Sequence, residues 1–132
     1  MSAIKFHKDL RVYQSAFNTA MEIFVVSKTF PKEERYSLTD QIRRSSRSVC
    51  ANITEAWRKR RYPKSFVAKL NDSESEAGET QNWLDFAFAC DYISEEDYKD
   101  LYQKYDYIIG MLVKMIDQSE QWTIQKSKQQ ED

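Results

Sequence analysis

The sequence predicts an all-α fold, an antiparallel up-down-up-down, left-handed four-helix bundle. Two glycines and two prolines among 132 residues are too few to supply the turns of a many-stranded β protein. Apolar residues recur at helical spacing in four stretches, and none of the chain reads as a strand. A composition of 41% hydrophobic and 31% charged residues is that of a globular domain. We expect one bundle over residues 1–124 and a polar C-terminal tail at residues 125–132.

The first predicted helix runs from Asp9, a candidate N-cap, to about Lys28. Its apolar stripe has a spacing of three or four residues and comprises Leu10, Tyr13, Phe17, Ala20 and Phe24. A loop at residues 30–34 follows, because the residue before Pro31 avoids helical geometry.

The second predicted helix opens near Ser37, where Asp40 three residues later forms a loose capping box, and runs to about Arg61. Its core-facing positions are apolar or small: Leu38, Ile42, Ser45, Val49, Ile53 and Ala56. Asn52 and Glu55 lie toward the edge of this face. We therefore expect Asn52 and Glu55 to form a structural polar core that is hydrogen-bonded between helices.

The third and fourth predicted helices follow a turn at residues 62–64 and carry heptad patterns. The third has its repeat at Phe66, Leu70, Ser73, Ala77, Thr80, Leu84 and Ala87. The fourth begins at the N-cap Ser94, ends near Glu120, and has its repeat at Tyr98, Leu101, Tyr105, Ile108, Leu112 and Met115. Four such helices with short connections favour an up-down bundle with crossing angles near about +20°.

Charge is unevenly distributed along the chain, although the net charge is only −1. Residues 41–69 contain nine Lys or Arg and one acidic residue, whereas residues 70–100 contain ten Asp or Glu and one lysine. On the second helix, one outward face within about 60° carries the stripe Arg43, Arg47, Arg58 and Arg61. Arginines in such a row can follow a phosphate backbone.

The candidate nucleic-acid-binding residues are the basic residues of this stretch: Arg43, Arg44, Arg47, Arg58, Lys59, Arg60, Arg61 and Lys64. Tyr62, at the end of the patch, is placed to stack on a base. The alternative interpretation is a solvated face, or a face that pairs with the acidic segment of this chain or of a partner.

The third helix carries a second candidate surface on one flank. It comprises Asp72, Glu76, Glu79, Trp83 and Phe86. Because the helix is apolar almost all round from Trp83 to Cys90, we expect this flank to form an oligomer interface. The alternative is that Trp83 and Phe86 are covered by the first helix or by the tail.

Several classes of function are excluded by the sequence. Its apolar runs are too short to cross a membrane and its N-terminus lacks a secretion-signal pattern, so we expect a cytoplasmic protein. The single histidine, His7, rules out a di-iron bundle, and Cys50 and Cys90 have neither metal-ligand spacing nor, in an antiparallel bundle, the proximity of a disulfide. We expect no catalytic residue, metal, cofactor or small-molecule substrate.

Three segments resemble a known family. The segments are FHKDLRVY at residues 6–13, LTDQIRRS with SVCANITEA across residues 38–56, and SEAGETQ at residues 75–81. They are similar to the signatures of the "four helix bundle protein" family, also known from reading frames in the intervening sequences of bacterial large-subunit ribosomal RNA genes. The similarity extends over about residues 6–122.

The resemblance implies a left-handed bundle that assembles as a homopentamer, without catalytic residues. It also implies a likeness in shape to the accessory bundle protein of diversity-generating retroelements, a basic pentameric barrel that binds nucleic acid. Ala56 stands where many relatives have glycine, so we expect the basic run 58–61 to extend the second helix.

Two functions are consistent with the sequence. The first is a non-enzymatic oligomeric module that binds RNA or DNA through the basic stripe. The second is a protein–protein adaptor or structural assembly protein, whose basic stripe pairs with an acidic neighbour.

Overall fold

The computed structural model describes residues 4–124 as a four-helix bundle with a short fifth helix. The helices are α1 (Arg11–Ser27), α2 (Leu38–Arg58), α3 (Pro63–Ala89), α4 (Glu95–Asp117) and α5 (Ser119–Trp122). Single 3-10 turns at His7–Asp9 and Lys32–Glu34 precede α1 and α2. The predicted tail at residues 125–132 lies outside the described residues.

Each long helix packs against two others, in the cyclic order α1–α2–α3–α4. The most extensive packing is between α2 and α3, and successive helices are antiparallel because short connections join them. Within residues 4–124, no helix is both long and apolar enough to cross a membrane.

The predicted core of α2, α3 and α4 is confirmed. All six predicted positions of α2 and all seven of α3 are buried. In α4 five of the six are buried, and Tyr98 is half-buried. The largest fully buried side chains include Tyr105, Phe66 and Ile53, so three helices contribute bulk to one core.

The predicted stripe of α1 is confirmed at Leu10 and Ala20, which are buried, and wrong at its three aromatic positions. Phe17 is 47% exposed and Tyr13 and Phe24 are only half-buried. The buried face consists mainly of small and β-branched residues: Val12, Ala16, Thr19, Ala20, Ile23 and Ser27. Small residues allow α1 to approach its neighbours closely, and the large rings therefore lie outside the seam.

The predicted caps of α1 and α2 also differ from the structure. α1 begins at Arg11, since the Asp9 carboxylate caps the preceding turn by accepting the Lys5 and Phe6 N–H groups at 3.1 and 3.0 Å. These bonds lower the pKa of Asp9, the Phe6 bond most strongly. At α2, Ser37 forms no side-chain cap; its hydroxyl donates to Glu34 instead.

Glu34 supplies the missing cap. Its Oε1 accepts the Ser37 Oγ at 2.6 Å and the Leu38 N–H at 3.3 Å, and its Oε2 accepts the Tyr92 hydroxyl at 2.9 Å. These bonds, with Ser37 first, lower the pKa of Glu34. One carboxylate thus joins the start of α2 to the α3–α4 connection, whereas the predicted N-cap Ser94 does cap α4, accepting the Asp97 N–H.

The expected extension of α2 through the basic run is wrong. α2 ends at Arg58, and α3 begins at Pro63, which occupies the first turn where its missing N–H is tolerated. The chain must reverse within residues 59–62 for α3 to pack against α2, and Arg60 Nε caps the helix end by donating to the Trp57 carbonyl at 2.8 Å. The need to reverse the chain therefore ends α2 at Arg58, although alanine at position 56 favours a helix more than glycine would.

Candidate nucleic-acid interface

The basic residues of α2 and its flanks form two surface clefts instead of one stripe. The first arginine cleft, an open depression of about 590 Å³, is lined by Arg35, Tyr36, Thr39, Asp40, Arg43, Arg44 and Arg47. The second arginine cleft, of about 390 Å³, is lined by Trp57, Arg58, Arg60, Arg61, Tyr62 and Ile124. The predicted stripe is interrupted because Arg61 lies beyond the end of α2.

Arg43 anchors the first arginine cleft. Its Nε donates to Ser27 Oγ at 2.8 Å, and its guanidinium lies 4.8 Å from the centre of the Phe24 ring. Arg47 is exposed and lies 5.7 Å from the same ring. Phe24, expected in the core, is therefore a platform for two guanidinium groups, and Arg44 beside them is exposed.

Arg35 and Tyr36 belong to the first arginine cleft and were not among the predicted site residues. The Arg35 guanidinium lies 5.4 Å from the Tyr36 ring centre, and the ring is 84% exposed. Both precede α2 in a segment whose overall charge is nearly neutral, so a count of charge by segment misses them. An Arg-Tyr pair directly before a helix rich in arginine is the sequence signal that locates them.

Arg60 anchors the second arginine cleft. Its guanidinium lies 3.5 Å from the Trp57 ring centre, and Trp57 is buried. Burial, followed by the nearby Arg58 charge, lowers the pKa of Arg60. Arg58, Arg61 and Tyr62 are exposed around it. Lys59 and Lys64, also exposed, lie in the connection and in the first turn of α3.

The eight predicted basic residues form no ion pair with an acidic side chain among residues 4–124. The cations that do so within 4.0 Å are Lys69, Lys99 and Lys104. Pairing with the acidic segment of the same chain was the alternative for the stripe. In the described part of this chain that pairing is absent, and six of the eight cations are exposed to solvent.

Of the predicted polar core, Glu55 bonds between helices as expected, to Lys69 of α3, but neither Glu55 nor Asn52 is fully buried. Glu55 is exposed and pairs with Lys69 at 2.7 Å, which lowers its pKa. Asn52 is half-buried, but its Nδ2 donates within α2, to the carbonyl and hydroxyl oxygens of Ser48 at 2.9 and 3.2 Å. Asn52 and Glu55 therefore lie just outside the buried face of α2, although their positions on the helix predict its edge.

Some of the interhelical hydrogen bonds come from heptad residues predicted only as small spacers, and another comes from Gln81, which was not predicted. Ser45 Oγ and Thr80 Oγ1 are 2.7 Å apart, and Ser73 Oγ donates to the Val49 carbonyl at 2.8 Å. Gln81 Nε2 donates to Asp106 at 2.8 Å, linking α3 to α4. For Ser45, Ser73 and Thr80 the signal in the sequence is a hydroxyl residue at a heptad position. Such a residue can form a hydrogen bond in a close helix interface without adding volume.

The flank of α3 is partly covered by α2. Trp83 is half-buried and Phe86 is 52% exposed, with ring centres 6.0 Å apart. They line an apolar cleft that also contains Glu34, Tyr36, Ser37, Leu38, Gln41 and Cys90, and none of these belongs to α1. Phe86 thus remains open to solvent among the described residues.

Two of the three acidic members of the flank, Asp72 and Glu76, have partners in the chain. Glu76 is half-buried and accepts the Ser48 hydroxyl at 3.0 Å; burial is the main cause of its raised pKa. Asp72 is exposed and lies 3.9 Å from Lys69, and Glu79 is half-buried. The N-terminal part of the flank, from Asp72 to Glu79, is therefore polar. Its apolar part consists of Trp83 and Phe86.

The titratable groups of the described residues form no metal-binding cluster. No group of three His, Cys, Asp or Glu residues within residues 4–124 is arranged to hold a metal ion. Cys50 and Cys90 are both free; burial raises the pKa of Cys50 to about 11, which makes its thiolate scarce at neutral pH.

Comparison with known proteins identifies close similarities. The family model described as 23S rRNA-intervening sequence protein matches residues 8–114. A crystal structure from Bacteroides thetaiotaomicron, of a protein with unknown function from the S23 ribosomal protein family, has 30% sequence identity and a TM-score of 0.73. The match covers 80% of this chain and 95% of that chain. Among curated proteins, none matches.

Proposed function

The chain belongs to the 23S rRNA-intervening sequence protein family, and from this premise we propose that it is a non-enzymatic module that binds RNA or DNA. The binding surface is the face of α2 that carries the two arginine clefts. One observation carries the proposal: eight basic side chains at and beside α2 have no acidic partner in residues 4–124. A phosphate backbone is the ligand whose charge and repeat suit them.

The charge of this surface is local. The chain as a whole carries a net charge of −1, so general attraction between a basic protein and nucleic acid is absent. Any affinity for phosphates must arise where the cations are concentrated. Binding is therefore sensitive to substitutions in the clefts and insensitive to the same substitutions elsewhere.

The proposal is tested by removing one arginine from each cleft. The double variant Arg47→Ala/Arg58→Ala should weaken binding of a labelled RNA by about tenfold or more at low salt, measured by fluorescence anisotropy. The matched control is Arg11→Ala, an exposed arginine in the first turn of α1 outside both clefts. Equal affinities of the double variant and the wild type would contradict the proposal.

We also propose that the chain forms a homo-oligomer, with the pentamer that its resemblance implies as the expected number. Two separate apolar surfaces support this. Trp83 and Phe86 form one, and an α1 stripe of Phe17, Met21 and Val25 at four-residue spacing, each close to half exposed or more, forms the other. A subunit with two different apolar surfaces suits head-to-tail association, which forms a ring when the rotation between neighbouring subunits closes.

The adaptor function remains the alternative outcome of these tests. If the arginines contact an acidic surface of a neighbouring subunit, the variant Arg47→Ala/Arg58→Ala reduces the size of the assembly. In that case the wild type binds no RNA or DNA. Size-exclusion chromatography beside the anisotropy titration separates the two functions.

A further inference from the structure

We infer that the nucleic acid bound is a single strand, whose unpaired bases stack on Tyr36 and Tyr62 while its phosphates contact the arginines between them. The inference rests on the proposed nucleic-acid function and adds the class of ligand. It starts from two tyrosines, one in each arginine cleft.

Tyr36 is displayed to solvent at the start of α2. Its ring is 84% exposed, and the Arg35 guanidinium lies 5.4 Å from the ring centre. The ring lines the first arginine cleft together with Arg43, Arg44 and Arg47, and it also borders the apolar cleft of Trp83 and Phe86. Cations therefore lie beside an exposed aromatic ring, which is the combination that holds a base and its phosphate together.

Tyr62 has the same relation to the other end of α2. Its ring is 63% exposed and lines the second arginine cleft with Arg58 and Arg61. Its N–H donates to the Lys59 carbonyl at 2.9 Å, and Pro63 follows it at the first turn of α3. The backbone is thus fixed in a turn while the ring stays free to stack.

The two clefts open on the same side of α2. Arg47 and Arg58 are eleven residues apart in sequence, which places them within about 20° around the helix. Between them on this face lie Ala51, which is small, and Thr54, which is half-buried. The acidic residue at the edge of the face, Glu55, is paired with Lys69. From Arg47 to Arg58 a strand therefore meets no unpaired negative charge, and the exposed Asp40 in the first arginine cleft lies among the arginines of that cleft.

The length of α2 sets the length of the strand. Its 21 residues span about 30 Å. At about 3.4 Å per nucleotide this distance corresponds to about nine nucleotides of stacked strand, and an extended strand needs fewer. This number lies within the roughly 4–16 nucleotides that small single-strand-binding domains cover.

A duplex leaves both tyrosines without a function. Its bases are stacked inside the helix, so an exposed ring on the protein surface gains no stacking partner. Recognition of a duplex through phosphates requires only the arginines. Aromatic rings placed among cations at both ends of α2 favour a ligand whose bases are accessible.

The experiment compares one RNA strand of about 12 nucleotides, free and annealed to its complement, with DNA of the same sequence as a further arm. We expect the free strand to bind at least about tenfold more tightly than the duplex. Tyr36→Leu and Tyr62→Leu should each weaken binding of the strand by about tenfold and leave the salt dependence unchanged, because stacking involves no phosphate.

Matched controls separate stacking from structure. Tyr36→Phe keeps the ring and should bind as the wild type does, and Tyr107→Leu removes an exposed tyrosine of α4 outside both clefts. If the duplex binds as tightly as the strand, or if both leucine variants bind as the wild type does while Arg47→Ala/Arg58→Ala weakens binding, the inference is overturned and the proposed function stands. If the wild type binds none of these probes at low salt, both are overturned.

Discussion

Two hydroxyls meet inside the bundle between α2 and α3. Ser45 and Thr80 are both buried, and their oxygens are 2.7 Å apart. Thr80 Oγ1 also lies 2.9 Å from the Glu76 carbonyl oxygen and Ser45 Oγ lies 3.4 Å from the Ile42 carbonyl oxygen, so either hydroxyl can be the donor between the two. The pair allows close approach of the helices and keeps two polar groups satisfied.

Breaking this pair should cost about 1 kcal/mol in the free energy of unfolding for Ser45→Ala, and a similar amount for Thr80→Val. The double variant should lose less than the two single losses added together, since both remove the same bond. Urea denaturation followed by circular dichroism measures all three. Thr19→Val is the control, because that buried hydroxyl bonds only a carbonyl of its own helix. Strictly additive losses would show that the hydroxyls are not bonded.

At the residue scale, sequence periodicity predicts which positions are buried but not which of them carry the polar contacts. The repeats of α3 and α4 specify a seam because a sustained heptad leaves one choice of face. In α1 the same method fails at Phe17. Aromatic and small residues both recur at helical spacing there, and the small residues occupy the buried face. The burial expected of Glu55 is wrong because azimuth alone does not reveal Lys69 on the next helix as its partner.

The end of α3 depends on one residue in a left-handed conformation. Asp91 has φ of 62°, a region that favours glycine. The Tyr92 N–H reaches back to the Ala87 carbonyl at 2.8 Å, and the Asp91 N–H donates to the Phe88 carbonyl at 3.0 Å. These bonds terminate α3 and direct the following residues toward the start of α4.

Asp91→Gly should therefore raise the free energy of unfolding by up to about 1 kcal/mol, because glycine adopts this conformation without strain. Thermal and urea denaturation of the variant provide the measurement. Ala89→Gly, at the last residue of α3, is the matched control and should lower the same quantity, because there the backbone is helical. A clear loss of stability in Asp91→Gly would mean that the aspartate side chain itself holds the turn.

At the element scale, the existence and order of the four long helices and the start of α2 near Ser37 are predictable from the sequence, whereas the C-terminal end of α2 is not. α2 ends at Arg58 because the chain must reverse direction before α3 can pack against α2. The helix propensity of Ala56 does not indicate where this reversal occurs. The N-terminal end is capped by Glu34, whose role depends on Tyr92 from a distant connection. Arg35 and Tyr36 escape a count of charge by segment, although the Arg-Tyr pair before α2 is visible in the sequence.

The molecule as a whole presents a basic face on α2 and two apolar surfaces on α1 and α3. If the apolar surfaces associate, wild-type protein at micromolar concentration should have several times the mass of one chain by light scattering. Trp83→Asp should dissociate the assembly, since it places a charge in the interface, while the helical circular-dichroism signal persists. Phe17→Asp should do the same through the other surface.

The matched control for assembly is Lys99→Ala, an exposed residue of α4 outside both apolar surfaces. It should keep the mass of the wild type. A wild-type protein that is monomeric at micromolar concentration would contradict the oligomer proposal and would leave the basic face of the single chain as the binding surface.

The salt dependence of RNA binding by the wild-type protein tests the central claim most directly. Six of the basic residues are exposed: Arg44, Arg47, Arg58, Lys59, Arg61 and Lys64. If all six contact phosphates of a single strand, the logarithm of the binding constant should fall with the logarithm of salt concentration with a slope of about −4. Absence of binding at low salt, or a binding constant that does not change with salt, would contradict the account.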